Sequence, residues 1–179
     1  LNGKEVDFAG GRGYIEKDWG RSFPAAWIWF QSNHFEEPGT SLTASVAIIP
    51  WVRRSFPGFI VGLWQDGVLY RFASYTGARI EKLDITDEQV VWVIRDRRYR
   101  LEMRAIRSAG GLLHAPTPVD MGRRIAETLN AEVEVALYKA GGSASPVLFR
   151  STGRHAGLEA AGDLSRLRAM WASQAQLPD

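Results

Sequence analysis

The chain contains no cysteine. Disulfides, thiol nucleophiles and cysteine-ligated zinc are thereby excluded, and cysteine usage carries no signal of redox compartment. Histidine is scarce: His34, His114 and His155 stand alone, with no His-x-x-x-His or Glu-x-x-His pair. No metal site is expected on that pattern. There is no Gly-x-Ser-x-Gly, which speaks against a serine hydrolase. Gly-Gly-Arg-Gly at 10–13 lacks the helix that a phosphate-binding loop must open. No apolar run approaches the roughly 18 residues of a membrane span, so no integral membrane segment is expected. Charge of one sign is also lacking. The formal net charge is +2, although the pI is about 9.1. So small an excess exerts little overall pull on nucleic acid, and no nucleic-acid partner is expected.

What is present is a composition ordinary for a soluble globular domain, with 45% apolar and 23% charged residues in 179. That length favours one domain over 1–179 with a core needing no staples. The start, "LNGKEVDFAG", lacks Met and enters a strand-like run almost at once. The expectation is a C-terminal portion of a longer protein, or a piece cut from one.

Most of the chain reads as strand. Residues 13–19 and 25–35 alternate, with "RSFP" between them, and "SLTASVAIIPW" runs to the "RRSFPG" turn. Asp66-Gly67 between "GFIVGLW" and "VLYRFASY" is the strongest hairpin signal. "RDRR" marks another hairpin. Beyond it Tyr99, Leu101, Met103 and Ala105 alternate with Arg98, Arg100, Glu102 and Arg104, the pattern of a half-buried antiparallel strand with one solvated face. "GLLHAPTPV" is extended by its prolines, and "AEVEVALYKA" and "PVLFRSTGRHAGLEA" are late strands. Two stretches read as helical: a short turn within 119–129 around Ile125, and 163–173. In the latter Asp163 is an N-cap and Leu164, Leu167, Met170 and Trp171 share a face. A long antiparallel meander with one closing helix predicts an all-β fold, a lipocalin-like barrel with a C-terminal α-helix. A β-sandwich is the competing architecture.

The segment 13–35 is both more polar than a core strand and more aromatic than a loop. In 25–35, Trp27, Trp29, Gln31, Asn33 and Phe35 lie on one side and Ile28, Phe30, Ser32 and His34 on the other. Facing inward, the first set would line an apolar pocket with a few fixed hydrogen-bonding groups. Facing outward, it would form a surface patch while the second set builds the core. Simple packing of the indoles is the plain alternative. In 14–19, Tyr14, Glu16 and Asp18 share a face. Two carboxylates at i and i+2 split their pKa values if buried, leaving one as a general acid. If exposed, they form a solvated face beside Lys17 and Arg21.

"GGRGYIEKDWGRSFPAAWIWFQSNHF" at 10–35 resembles the signature of the tocopherol cyclase family. "DGVLYRF" at 66–72, "LLHAPT" at 112–117 and "AEVEVALYK" at 131–139 resemble later elements of the same family, so the likeness runs from about residue 9 to about residue 140. "SVAIIPWVRR" replaces the glycine-rich stretch that the family shows after the Trp strand, and 150–179 matches poorly. The resemblance implies the C-terminal half of a protein with two lipocalin-like halves, the N-terminal half being a missing partner. It implies closure of a chromanol ring on a prenylated quinol, by protonation of an alkene and capture of the tertiary cation by the phenol oxygen. In that chemistry Asp18 or Glu16 is the catalytic acid. Trp27 and Trp29 are walls that stabilise the cation, Gln31 and Asn33 hold the quinol hydroxyls, and Trp19 and Arg21 complete the substrate-binding set. Arg21 and Lys17 could instead neutralise the carboxylates. No cofactor is expected, the partner is a hydrophobic isoprenoid, and the expected setting is cytoplasmic or peripheral to a membrane, in a bacterial member that need not make tocopherol. Two rivals stand: a non-catalytic carrier of a hydrophobic small molecule, and a structural barrel that braces the missing half.

Overall fold

The computed structural model describes residues 2–17, 23–115, 123–141 and 145–175. Ten strands form one antiparallel sheet: β1 (Ala26–Ser32), β2 (Ser41–Trp51), β3 (Arg54–Gln65), β4 (Val68–Ala73), β5 (Arg79–Ile85), β6 (Gln89–Arg95), β7 (Tyr99–Ile106), β8 (Gly111–Ala115), β9 (Arg123–Lys139) and β10 (Val147–Gly162). The neighbour order is β4-β3-β2-β1-β10-β9-β7-β6-β5, with β8 paired to the N-terminal part of β9. One helix follows, α1 (Leu164–Ala175).

Local chemistry sets the turns. Asp66 and Gly67 both take left-handed φ, 49° and 74°, as a two-residue hairpin demands. At the β6–β7 turn the Asp96 carboxylate accepts from the Arg98 and Tyr99 backbone N–H groups, both at 2.7 Å. Asp163 caps α1, its carboxylate accepting from the Arg166 N–H at 3.0 Å and from the Ser165 hydroxyl at 2.6 Å; these two bonds hold its pKa below the usual carboxylate value.

The sheet curls around one core. Side chains from β1 to β7, β9, β10 and α1 meet there, with Phe30, Phe72, Trp92, Leu101, Met103 and Leu137 all essentially without solvent contact. Edge-on aromatic contacts stitch it across: Phe30 and Phe59 against Trp92, and Tyr70 of β4 against Tyr99 of β7. The strands β4 and β5 end the sheet without pairing to each other, so the barrel is nearly closed. Helix α1 packs on β1, β3 and β5. It buries Leu167 completely and donates from the Trp171 indole to the Ile80 carbonyl at 3.3 Å and from Arg168 to the Ile85 carbonyl at 3.1 Å. Each such large apolar side chain contributes about 1.5–3 kcal/mol by leaving water. The arginine face of β7 is solvated and ion-paired as its alternation predicts: Arg100 meets Glu81 at 2.7 Å, and Arg104 meets Glu134 at 3.3 Å.

The barrel is therefore found and the sandwich is not. Two expectations for local structure are corrected. The turn placed within 119–129 is strand from Arg123 onward, because β8 and β10 flank it and supply a ladder on both sides. Residues 13–17 form no strand; they have no ladder partner and lie as an irregular segment. No described helix is long and apolar enough to cross a membrane.

Candidate functional site

Strand β1 decides which face is which. Ile28 and Phe30 enter the barrel core, whereas Trp27 belongs to a second cluster with Ala47 and Ile125, against which Trp29, Ile49 and Ala161 pack. The indole face thus looks outward, and the barrel interior is filled by interlocked side chains. Among the described residues these indoles border no enclosed chamber within the barrel. Phe35 leaves their face altogether: β1 ends at Ser32, and the chain turns Phe35 into the core against Phe149.

The outer face is nonetheless built up. The register places Trp29 opposite Glu159 on one side and Ser45 on the other, with Gln31 opposite Gly157 and Thr43. Trp27 is 4% exposed, stacks on Phe23 at 5.0 Å, and donates its indole N–H to Glu159 at 2.6 Å. Trp29 lies on Gly157, where an added methyl would come within 2.8 Å of its ring. The segment 13–16 folds over this surface. The Tyr14 hydroxyl donates to the Glu16 carboxylate and lies 3.2 Å from the Thr43 hydroxyl, and the Trp29 N–H donates to Glu16 at 3.2 Å. Asn33 ties the same segment down through its amide N–H and the Gly13 carbonyl, at 2.9 Å. Gln31 is 7% exposed, and its amide nitrogen has no hydrogen-bond partner among the described residues.

Of the residues expected from sequence, Glu16, Trp27, Trp29, Gln31 and Asn33 therefore meet on one surface. Glu16 is itself solvent-exposed. Asp18, Trp19 and Arg21 lie outside the described residues.

Sequence reasoning missed the strongest carboxyl pair on this face. Glu159 of β10 and Glu127 of β9 are direct cross-strand partners. Burial, and then the Glu159 charge, push the Glu127 carboxyl above its ordinary value of 4.5. The signal could not be found by alternation alone, because the β9–β10 register shifts twice between Gly153 and Leu158, and each shift resets which face the following residues occupy. A second, shallow recess of about 460 Å³ opens elsewhere, between Gly10–Arg12 and His34, Phe35, Arg154 and His155. No grouping of three or more His, Asp or Glu fit to hold a metal occurs among the described residues.

Comparison with known proteins gives a consistent result. The sequence model of a family described as tocopherol cyclase-like matches residues 1–162, which leaves all of α1 outside the match. A chloroplastic tocopherol cyclase of Zea mays is 26% identical over 174 residues, covering 90% of this chain and 35% of the relative. A probable chloroplastic tocopherol cyclase of Oryza sativa subsp. japonica is 29% identical over 82 residues, covering 42% of this chain and 17% of the relative. The chain thus spans about a third or less of the length of these relatives. No solved structure matches it.

Proposed function

The chain belongs to the tocopherol cyclase-like family, and we propose that it takes part in closing a chromanol ring on a prenylated hydroquinone, with the outer indole face as the site. The observation that carries this reading is the meeting of two indoles with carboxylates on one partly covered surface: Trp27 bonded to Glu159, Trp29 to Glu16, and Glu127 beside them. Ring closure is an isomerisation. A carboxyl group gives its proton to the alkene, the phenol oxygen closes on the tertiary cation, and the phenolic proton returns to the carboxylate.

Each part has a residue suited to it. Glu127, pushed toward its protonated form, is the proposed donor. Glu16 is exposed and already accepts from Tyr14 and Trp29. It suits the role of a hydrogen-bond acceptor that orients the indole; Asp18 is the other candidate acid. Indole faces attract a developing cation and offer no nucleophile to trap it. The Gln31 N–H, unfilled among the described residues, is a donor for a quinol oxygen.

A carrier that binds the same ligand without acid chemistry is the second reading, and the exposure of Glu16 favours it. One experiment separates the two. The protein is incubated with a geranylgeranyl hydroquinone in D2O, and the quinol and chromanol are separated by chromatography. Cyclisation leaves one carbon-bound deuterium in the chromanol, read as a one-unit mass increase. Saturable binding with no labelled chromanol would leave the carrier reading standing and end the catalytic one.

A further inference from the structure

The hairpin between β2 and β3 projects an unusual tip. Trp51 is 68% exposed and Val52 is 92% exposed. Val52 also holds a left-handed φ of 53°, a conformation that glycine takes freely and a β-branched residue takes only under strain. Strain at an exposed turn persists where the stem is pinned. It is pinned here: β2 and β3 pair in unbroken antiparallel register up to Trp51 and Arg54, and a methyl added at Gly58 would lie 2.6 Å from Ile49 Cγ1, so the Ile49 side chain packs tightly on β3 just below the tip.

The chemistry around the tip is one-sided. Arg53 and Arg54 follow at once, both exposed and making no ion pair among the described residues. Arg166 of α1 reaches the same place, donating to the Ser55 hydroxyl at 3.3 Å, although the Asp163 carboxylate beside it offsets part of its charge. Residues 41–65 contain no Asp or Glu at all. The near-zero net charge of the chain therefore hides a local concentration of positive charge beside an indole and a branched aliphatic side chain.

We propose that the Trp51–Arg54 tip is a shallow membrane anchor, in which Trp51 and Val52 enter the interface of a bilayer and Arg53 and Arg54 contact anionic lipid headgroups. An indole prefers the headgroup level, where its ring is buried and its N–H stays solvated. Basic side chains near an anionic surface each strengthen binding by about fivefold. The absence of acidic residues on both strands removes the repulsion that would oppose approach. The tip continues from Ile49 of β2, which packs against the outer indole cluster, but anchoring requires no acid chemistry and does not depend on the catalytic reading.

The test is co-sedimentation of the whole protein with phosphatidylcholine vesicles, with and without one third phosphatidylglycerol. Wild-type protein should pellet with the anionic vesicles, and less so at 0.5 M salt. The R53Q/R54Q variant should lose about 25-fold in vesicle affinity. W51A/V52G should lose at least tenfold while folding normally, since glycine suits the φ at 52 and both side chains point to solvent. Failure of the wild type to bind anionic vesicles would overturn the proposal. So would binding that both variants retain, or a tip whose only measurable effect is concentration-dependent self-association.

Discussion

Replacing Glu127 by Gln should reduce chromanol formation by about 100- to 10,000-fold, the range associated with a positioned general acid, while the Kd for a prenyl hydroquinone changes by less than about threefold. The amide keeps the size and the hydrogen-bonding reach of the carboxyl group and lacks only its acidic proton. Chromatographic product assay gives the first quantity and quenching of tryptophan fluorescence the second. Equal loss of both would mark Glu127 as a packing residue. No loss of activity, with Asp18→Asn inactive, would return the acid to the sequence-predicted position. Glu159→Gln serves as the companion variant. It removes the neighbouring charge that helps to keep Glu127 protonated, so the fall of activity with rising pH should begin at lower pH.

The same carboxyl leaves a mark on stability. Its folded pKa lies above its unfolded value, so between 4.5 and the raised value the native state binds more proton than the unfolded chain. Stability is then fullest below that window and declines as pH rises through it. Urea midpoints of Glu127→Gln should lack that part of the decline.

Gly162→Ala should be strongly damaging, lowering stability by about 2–5 kcal/mol through left-handed strain and backbone overpacking together. Gly162 has φ 80°, and a methyl there would lie 2.1 Å from the Ala25 carbonyl oxygen and 2.7 Å from Ala26 Cα. Neither atom can step aside, because Ala26 pairs with Gly162 in the sheet and the Ala25 carbonyl accepts from the Asp163 N–H at 3.0 Å. That contact joins the end of β10 to the first turn of α1. Gly39→Ala is the control: its φ is 85° but nothing lies within 4 Å of the added methyl, so only the left-handed cost of about 1–2 kcal/mol applies. Urea denaturation with unchanged m-values measures both. Equal losses for the two would show that the close approach at Gly162 relaxes freely.

Much of this barrel is legible in short stretches of sequence. Asp66-Gly67, Asp96 and Asp163 each act within three residues of themselves, and each does what its chemistry predicts. The alternation of β7 reads correctly because one of its faces is solvated and the other is core. The reading fails where the signal is not local. The run from Arg123 becomes strand because β8 and β10 come to flank it, although nothing in 119–129 announces either partner. Tyr14 and Glu16 do come together, yet without the strand that their alternation suggests, since no ladder reaches them.

The candidate site divides along the same line. The residues of this chain by themselves determined that Trp27, Trp29 and Gln31 would share one side of a strand, because a pleated backbone sends alternate side chains the same way whatever surrounds it. Only the tertiary structure decided that this side faces outward, that Tyr14 and Glu16 cover it, and that Glu127 stands against Glu159 beside the indoles. The reason is that alternation is symmetric between the two faces of a strand. The symmetry is broken only by which face the curled sheet encloses and by the bulged register of β9 on β10, and both are set by pairings between residues far apart in the chain.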